Sequence, residues 1–418
     1  MKKSLLLTVM ALLAIALYAP HLSAQEKILK VGIVAPFTGP QAYLGSEFRV
    51  SAEMALEGIN YKIGDYKLEV VWVDDQCDPA KATNAYAEAV ETHGLEVGAL
   101  GWCSSVNVAL MDLAAEYKIP HVFNGGSTPL INEKYHSNPD KFSYFANKNW
   151  PVPASLMRFY LEAVEAAIAK GEWKPAKKTI AVYGEDTDWG RSAGGALKEL
   201  FVKAGWELVS EDYFANTQTD FYSLLNRYRS SNVALLAGSA NYPALGALIK
   251  QTKEVGLKAI IIADGLGWTG NWYEQTGEAG EGVLDMIPQI ATPEGKAWAE
   301  KFEARSGIKP SASAAGLSSY DGVGILIKIL KRTLEKHGKL DKETIHEVLK
   351  NEWLTGKLAY TRADGAIIMN SYRYTPETVP DPVVGIDDYF FPVLQYGQGG
   401  VGHIIYPADV ATTGFRAP

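Results

Sequence analysis

The sequence lacks most of the residue patterns that catalysis, metal binding or nucleic-acid binding would require. It has two cysteines and seven histidines in 418 residues, and none of them shows the spacing of zinc ligands. It contains neither paired carboxylates nor a Walker pattern. Lys and Arg number 40 against 48 Asp and Glu, a formal charge of −8, which argues against nucleic acid and anionic membrane as partners. We therefore expect no metal, no cofactor and no enzymatic activity.

The N-terminal apolar run, Leu5 to Tyr18, is too short to span a membrane, and no stop-transfer pattern follows it. Lys2 and Lys3 precede this run, and Leu22-Ser23-Ala24 offers small residues for cleavage. Residues 1–24 are therefore predicted to be a secretory signal peptide. No cysteine lies at the cleavage site, so a lipid anchor is not expected. The mature chain should be exported and soluble, most simply in a bacterial periplasm, with a formal charge of −10 (38 basic against 48 acidic residues).

The two cysteines, Cys77 and Cys103, suggest one disulfide, because an exported chain meets oxidising conditions. Closing a loop of this length would contribute roughly 3 kcal/mol in the chain-entropy model. A metal site is the weaker alternative.

Strands alternate with helices of about a dozen residues through most of the chain, a pattern that predicts α/β lobes with doubly wound parallel sheets. About 394 mature residues are too many for one core, so two lobes are expected. The first alternation covers 30–123 and the second covers 179–263. Residues 147–153 and 277–288 are predicted interdomain crossings, helices are expected at 297–305, 318–336 and 342–350, and 358–406 is rich in β-structure.

Ser104 is a candidate anion-binding residue because it lies where a predicted strand, 97–101, passes into a helix. The first N–H groups of a helix lack partners and the helix dipole adds positive charge there, so a carboxylate could bind. The alternative is that Ser104 only caps the helix. Ser127 lies in the loop after the next strand. That loop leaves the sheet at the same edge as the loop that carries Ser104, and ligands of such sheets bind at this edge.

Two motifs typical of enzymes are discounted. Gly190 to Gly194 matches G-x-S-x-G, but six residues separate it from the preceding strand, whereas a nucleophile elbow joins strand and helix directly. Ser192 is instead expected in the first helical turn. Gly265 to Gly270 matches G-x-G-x-x-G, but Trp268 would crowd a pyrophosphate and no helix opens there, so a loop is expected.

Other motifs carry a resemblance to a known family. Asp74-Asp75-Gln76-Cys77-Asp78-Pro79, followed by Gly101-Trp102-Cys103-Ser104-Ser105, resembles the leucine/isoleucine/valine-binding proteins, periplasmic receptors of branched-chain amino-acid ABC importers. Val31 to Pro40, Thr219-Asp220-Phe221 and Ser319 to Gly322 extend the likeness over nearly all of the mature chain. The resemblance implies two lobes joined by three crossings that close on a ligand. It places 29–148 and 285–365 in the first lobe and 149–284 and 366–406 in the second, with 407–418 as a C-terminal tail.

The resemblance also implies ligand-binding residues, namely Ser104, Gly125, Ser127, Trp189, Tyr242 and Asp264. Ser104 matches the residue for the α-carboxylate, Gly125 a backbone contact, and Ser127 a hydroxyl for which Thr128 is the alternative. Trp189 replaces a family tyrosine, and Asp264 replaces the glutamate that binds the ammonium group. Their alternatives are a packed loop aromatic for Trp189 and a turn residue for Asp264. Leu44, beside Tyr43, stands near the position of a capping tryptophan.

We therefore expect a monomeric periplasmic receptor that binds a small amino acid, branched-chain or related, and delivers it to the permease of an ABC transporter. An aromatic acid, a short amide or urea is the alternative ligand. A ligand sensor that feeds a signalling partner is the alternative from another class, and an enzyme comes third.

Overall fold

The computed structural model of the protein describes residues 26–145, 147–241, 243–268, 272–287, 293–308 and 314–418. The predicted signal peptide and Tyr242 lie outside these residues, as do the last two positions of the G-x-G-x-x-G match. Within these ranges, no helix combines the length and apolar character needed to cross a membrane.

The helices and strands follow one another in three segments. The first contains β1 (Lys27–Ala35), α1 (Ala42–Glu57), β2 (Lys62–Ile63), β3 (Tyr66–Asp74), α2 (Pro79–Glu91), β4 (Val97–Leu100), α3 (Ser104–Glu116), β5 (His121–Phe123), α4 (Pro129–Ser137), α5 (Pro139–Phe142) and β6 (Asn147–Lys148). The second contains α6 (Pro153–Ala169), β7 (Thr179–Glu185), α7 (Asp188–Lys203), β8 (Glu207–Phe214), α8 (Tyr222–Ser230), β9 (Leu235–Ser239), α9 (Ala244–Glu254), β10 (Ile260–Asp264), α10 (Trp272–Thr276) and β11 (Leu284–Met286). The third contains α11 (Pro293–Ser306), α12 (Ala314–His337), α13 (Lys342–Val348), β12 (Tyr360–Thr361), β13 (Ser371–Tyr372), β14 (Val393–Tyr396) and β15 (Gly402–Tyr406). A π-helical turn, Leu349–Trp353, follows α13, and short 3-10 turns lie at 143–145, 266–268, 277–280, 362–364 and 398–400.

The first sheet has the strand order β2-β3-β1-β4-β5-β6 and is parallel except for β2. Its central strand β1 is apolar on both faces, since Leu29, Val31 and Ile33 pack into one hydrophobic cluster and Val34 into another. Helices α1 and α12 pack against each other on the first side, and α2 and α3 pack together on the second. Burial on both faces is what parallel sheets require.

The second sheet has the order β15-β14-β11-β10-β9-β7-β8, in which β14 runs antiparallel to both of its neighbours, β11 and β15, and the remaining pairs are parallel. Helices α6 and α7 pack side by side on one of its faces. Strands β7, β9 and β10 consist almost wholly of buried residues. Two doubly wound lobes of mostly parallel strands are thus present, and the predicted fold class is confirmed.

The predicted boundary at residue 365 lies between two short strands that pair with each other. Strand β12 pairs with β13, so both sides of that boundary belong to one small sheet. Asp321 on α12 accepts hydrogen bonds from the N–H groups of Ile367 and Ile368 and from the Tyr372 hydroxyl. This buried carboxylate holds the segment on the first lobe, and the chain enters the second sheet only at β14.

The C-terminal residues 407–418, predicted to be a tail, pack on the second lobe. The Arg416 N–H donates to Gln395 Oε1 at 2.8 Å, and the Phe415 ring stacks on Trp173 with centroids 5.9 Å apart.

A buried ion pair joins the first crossing to the segment before the third. The Lys148 side chain is fully buried, and its Nζ lies 2.8 Å from Asp381 Oδ1. The other oxygen of Asp381 accepts the Val152 N–H, and the Lys148 N–H donates to Pro380 O. Burial lowers the pKa of Lys148, and the nearby Asp381 opposes that shift. The crossings are therefore tied together by a charge pair that water does not screen.

Replacing Lys148 by methionine should lower the free energy of unfolding by about 3–5 kcal/mol, because Asp381 would stay buried without its partner. The double variant Lys148→Met/Asp381→Asn should regain part of this loss, since an asparagine can still accept the Val152 N–H. Urea-induced unfolding followed by circular dichroism measures both variants. As a control, Lys27→Met removes an exposed ion pair with Asp65 and should leave the free energy of unfolding nearly unchanged. A double variant less stable than the single one would contradict the role given to this pair.

Candidate functional site

A cleft of about 700 Å³, including its part open to solvent, separates the two sheets. Its walls are built from residues that follow the carboxyl ends of strands in both lobes. They are Gln41, Cys77, Trp102, Cys103, Ser104, Ser105, Gly125, Gly126, Ser127 and Trp150 on one side and Glu185, Thr187, Asp188, Trp189, Asn216 and Asn241 on the other. Ligands of parallel α/β sheets bind at this edge, where the strand order reverses.

Helix α3 begins at Ser104, and its first two residues, Ser104 and Ser105, line the cleft. Cys103, not Ser104, is the N-cap residue, with φ −75° and ψ 130°. The first hydrogen bond of the helix runs from the Asn107 N–H to Cys103 O, so the amides of Ser104, Ser105 and Val106 precede it. Within the described residues the Ser104 hydroxyl has no partner, and the residue is 6% exposed. Ser104 is therefore not the helix cap, and its hydroxyl is available to a ligand.

The predicted disulfide between Cys77 and Cys103 is confirmed. Their Cα atoms are 5.5 Å apart, and both residues line the cleft. The Cys77 N–H donates to Asp75 Oδ1, and burial raises the pKa of Asp75 to about 7. The bridge links the loop after β3 to the N-cap of α3, and so restrains the start of the helix that carries Ser104.

Gly125 and Ser127 both line the cleft, in the loop after β5. The Gly125 N–H donates to Gly101 O at 2.8 Å, and the Ser127 hydroxyl donates to Pro151 O. A Cβ atom at Gly125 would lie 2.4 Å from Trp102 O, so this close approach requires glycine. Thr128 instead caps α4, accepting the Leu130 N–H.

Trp189 lies in the first turn of α7 and lines the opposite wall. Its indole N–H donates to Ser239 Oγ at 2.9 Å, and the Ser239 hydroxyl donates to Asp264 O. Beside it, the Ser192 hydroxyl lies 3.3 Å from Thr128 Oγ1 of the first lobe. The serine of the G-x-S-x-G match therefore sits inside a helix, where it bridges the two lobes.

Asp264 is not among the described residues that line the cleft. It ends β10, is 3% exposed, and accepts a hydrogen bond from the Tyr160 hydroxyl at 2.8 Å. Burial, together with the neighbouring carboxylate Asp285, raises the pKa of Asp264 well above its usual range. Its predicted contact with an ammonium group remains a prediction. Leu44 also lies away from the cleft, in the first-lobe core.

Glu185 is the buried acid of the cleft, and the sequence analysis did not select it. It ends β7, is 3% exposed, and accepts hydrogen bonds from the Thr187 hydroxyl and from both the N–H and the side-chain amide of Asn241. Burial raises the pKa of Glu185, although these hydrogen bonds oppose the shift. An acid two residues after a predicted strand, 179–183, in the connection to the next helix, was the available signal.

Three tryptophans give the cleft large apolar surfaces. Trp102 packs edge-on against Phe48 and Trp150, with centroids 5.6 and 6.1 Å apart, and Trp189 faces them from the second lobe. Trp102 and Trp150 adjoin the amide-rich start of α3. The cleft therefore combines the N-terminus of a helix, a buried acid and aromatic walls. In the described part of the chain, no group of three or more His, Cys, Asp or Glu residues is placed to hold a metal ion.

Residues 28–376 match the model of the family described as periplasmic binding protein. The leucine-, isoleucine-, valine-, threonine- and alanine-binding protein of Pseudomonas aeruginosa is 26% identical over 358 residues, which covers 84% of this chain and 90% of that protein.

Solved structures share the fold. A putative branched-chain amino acid ABC transporter protein from Silicibacter pomeroyi superposes with a TM-score of 0.75 at 18% identity, covering 94% of this chain and 99% of that one. A solute-binding protein of an ABC transporter from R. palustris, in complex with 4-hydroxybenzoate, superposes with a TM-score of 0.70 at 19% identity, covering 90% and 95%.

Two glycines of α7 should respond oppositely to alanine. A Cβ atom at Gly190 would lie 2.2 Å from Glu185 O, whereas one at Gly195 would meet nothing within 4 Å. Gly190→Ala should therefore lower the free energy of unfolding by about 1–3 kcal/mol. Gly195→Ala should raise it by about 0.5–1 kcal/mol through helix propensity. Urea-induced unfolding of both variants measures the difference, and equal effects would show that α7 does not depend on its close contact with Glu185.

Proposed function

Since the chain belongs to the periplasmic binding protein family, we propose that it binds a small α-amino acid, branched-chain or related, and presents it to the permease of an ABC importer. The chain is a solute-binding protein of the ABC-transporter type rather than an enzyme. The family acts in the periplasm and binds small molecules there, which agrees with the signal peptide expected at residues 1–24. The identity of the solute is the part that we propose.

The observation that carries the proposal is the start of α3 at Ser104, which opens into the cleft with amides that precede the first helical hydrogen bond. A carboxylate there would gain backbone N–H donors, a hydroxyl and the positive end of the helix dipole. Without such donors, burying a carboxylate would be strongly unfavourable. We therefore assign the ligand carboxylate to this position.

A buried acid on the facing lobe favours a ligand that carries a positive group as well as a carboxylate. Glu185 and Asp188 line that wall, and both are acidic. The Pseudomonas aeruginosa relative is named for aliphatic amino acids and threonine, which have these two groups. The tryptophans would then contact the ligand side chain, and closure of the lobes would bury it.

An aromatic acid is the second candidate. Three tryptophans line the cleft, and the R. palustris protein of similar fold binds 4-hydroxybenzoate. An aromatic acid would use the same carboxylate position but would leave the acidic wall without a positive partner.

A thermal-shift screen of the mature protein against aliphatic and aromatic amino acids, benzoate, 4-hydroxybenzoate and small amides should show stabilisation by amino acids. A ligand at about a hundred times its dissociation constant adds roughly 2.7 kcal/mol of stability. Titration calorimetry of each compound that shifts the melting temperature then gives its affinity. Stabilisation by aromatic acids or amides alone would contradict the proposed ligand while leaving the receptor class intact.

Ser104→Ala should weaken binding of the preferred amino acid by roughly 1–3 kcal/mol, because the ligand carboxylate loses a hydroxyl donor. Since Ser104 is not the N-cap, the melting temperature without ligand should stay unchanged. Ser137→Ala is the matched control, because that hydroxyl bonds within its own exposed helix end. Unchanged affinity of Ser104→Ala, measured by titration calorimetry, would place the carboxylate elsewhere.

A further inference from the structure

We propose that Glu185, rather than Asp264, binds the positive group of the ligand and thereby selects amino acids over carboxylates that lack an ammonium group. The inference rests on the proposed function, since it names the residue that recognises the second pole of the same ligand.

The position of Glu185 suits this role. It ends β7 on the second lobe and lines the cleft, while the start of α3 lines the wall formed by the first lobe. The two walls thus present opposite charge preferences, with helix amides on one and a carboxylate on the other. An α-amino acid carries a carboxylate and an ammonium group on a single carbon. Its carboxylate can therefore bind the helix amides of one wall while its ammonium group binds the carboxylate of the other.

The hydrogen bonds of Glu185 hold the carboxylate in place without neutralising it. Thr187 Oγ1 lies 2.7 Å from Oε1, and the Asn241 N–H and Nδ2 lie 2.9 and 2.7 Å from Oε2. All three donors are neutral, and among the described residues no lysine, arginine or histidine forms an ion pair with Glu185. A buried carboxylate without a cation is unfavourable, and the pKa of Glu185 is raised accordingly. A ligand ammonium would supply the missing positive charge.

Two further acceptors in the cleft need donors. Gln41 Oε1 and Asn216 Oδ1 are buried and, within the described part of the chain, have no hydrogen-bond partner. Both residues line the cleft. An ammonium group donates three hydrogen bonds, whereas a deprotonated carboxylic acid donates none. Unmet acceptors therefore point independently to a ligand that brings N–H donors.

Asp264 is the weaker candidate for the same role. Its Oδ1 already accepts the Tyr160 hydroxyl, and the residue lies beside a second buried carboxylate, Asp285. Asp285 adds to the effect of burial in raising the pKa of Asp264, whereas the pKa of Glu185 is raised by burial alone and its neutral hydrogen-bond donors oppose the shift. Asp285 in turn accepts the N–H groups of Gly265 and Gly267, so this pair of acids organises the loop after β10.

The test compares ligands that differ only in the ammonium group. Leucine is paired with 4-methylpentanoate and phenylalanine with 3-phenylpropanoate, and each is titrated calorimetrically into the unmodified protein and into Glu185→Gln. We expect Glu185→Gln to weaken binding of the amino acids at least tenfold and to leave the acids without an ammonium group unchanged or tighter. Asp186→Asn is the matched control, because this exposed neighbour pairs with Arg191 outside the cleft. It removes the same charge and should change each affinity less than twofold.

The outcomes separate this inference from the proposed function. If the unmodified protein binds an amino acid and Glu185→Gln binds it as tightly as Asp186→Asn does, Glu185 is not the partner of the ammonium group. A selective loss in Asp264→Asn in that case returns the role to Asp264. An equal loss for both members of a ligand pair also overturns the inference, because it shows a general disturbance of the cleft. If the unmodified protein binds only acids without an ammonium group, the proposed ligand fails and the role of Glu185 fails with it.

Glu185→Asp keeps the test decisive should Glu185→Gln fail to fold. This variant retains the negative charge, but its side chain is one methylene shorter, so the carboxylate lies farther from the ligand. It should bind leucine more weakly than the unmodified protein and 4-methylpentanoate about as tightly, so its preference for leucine should shrink. A larger loss of affinity for leucine than for 4-methylpentanoate supports the inference, whereas unchanged leucine affinity or an equal loss for both ligands contradicts it.

Discussion

The direction of the parallel strands determines where everything else in the molecule lies. In each lobe a parallel strand is followed by a helix that returns across the sheet, so the carboxyl ends of the parallel strands meet at one edge. The two sheets turn these edges toward each other. Gln41, Ser104 and Ser127 follow strands of the first sheet. Glu185 ends a strand of the second sheet, and Asn216 and Asn241 follow strands of that sheet. A cleft with convergent polar groups thus arises from strand polarity.

Two local features, a disulfide and a glycine, fix the backbone at the two walls of the cleft. The Cys77–Cys103 bridge restrains the residue before α3, so the amides at Ser104 are presented in one orientation. In the second lobe, Gly190 lets the first turn of α7 approach the backbone of Glu185 more closely than any side chain would permit. The disulfide therefore restrains the chain beside the start of α3 on one wall, and the close contact at Gly190 restrains it beside Glu185 on the other. Pre-organised groups of this kind lose little entropy when a ligand binds.

Much of the fold could be predicted from the sequence because the alternation of strands and helices is a local property. The strand before Ser104, the helix after it and the pairing of the cysteines were all predicted. The contacts beside the predicted boundary at residue 365 were not predicted, because the hydrogen bonds that Asp321 accepts from Ile367 and Tyr372 join residues that are far apart in sequence. Ser104 was placed at the cleft by the strand-to-helix pattern and by the resemblance to a family, and Trp189 by the resemblance alone. Glu185 was not selected, since only the tertiary structure shows that it lines the cleft while Asp264 contacts Tyr160 instead.

The aromatic walls have a consequence for how this protein can be observed. Trp102, Trp150 and Trp189 line the cleft on both lobes, and the indole of Trp189 is hydrogen-bonded to Ser239. Indole emission depends on the polarity and water content of the surroundings. When a solute displaces water from between these rings and the lobes move together, the intrinsic fluorescence of the chain should change. Ligand binding to the cleft should therefore be measurable in real time from the fluorescence of these tryptophans, without an added label.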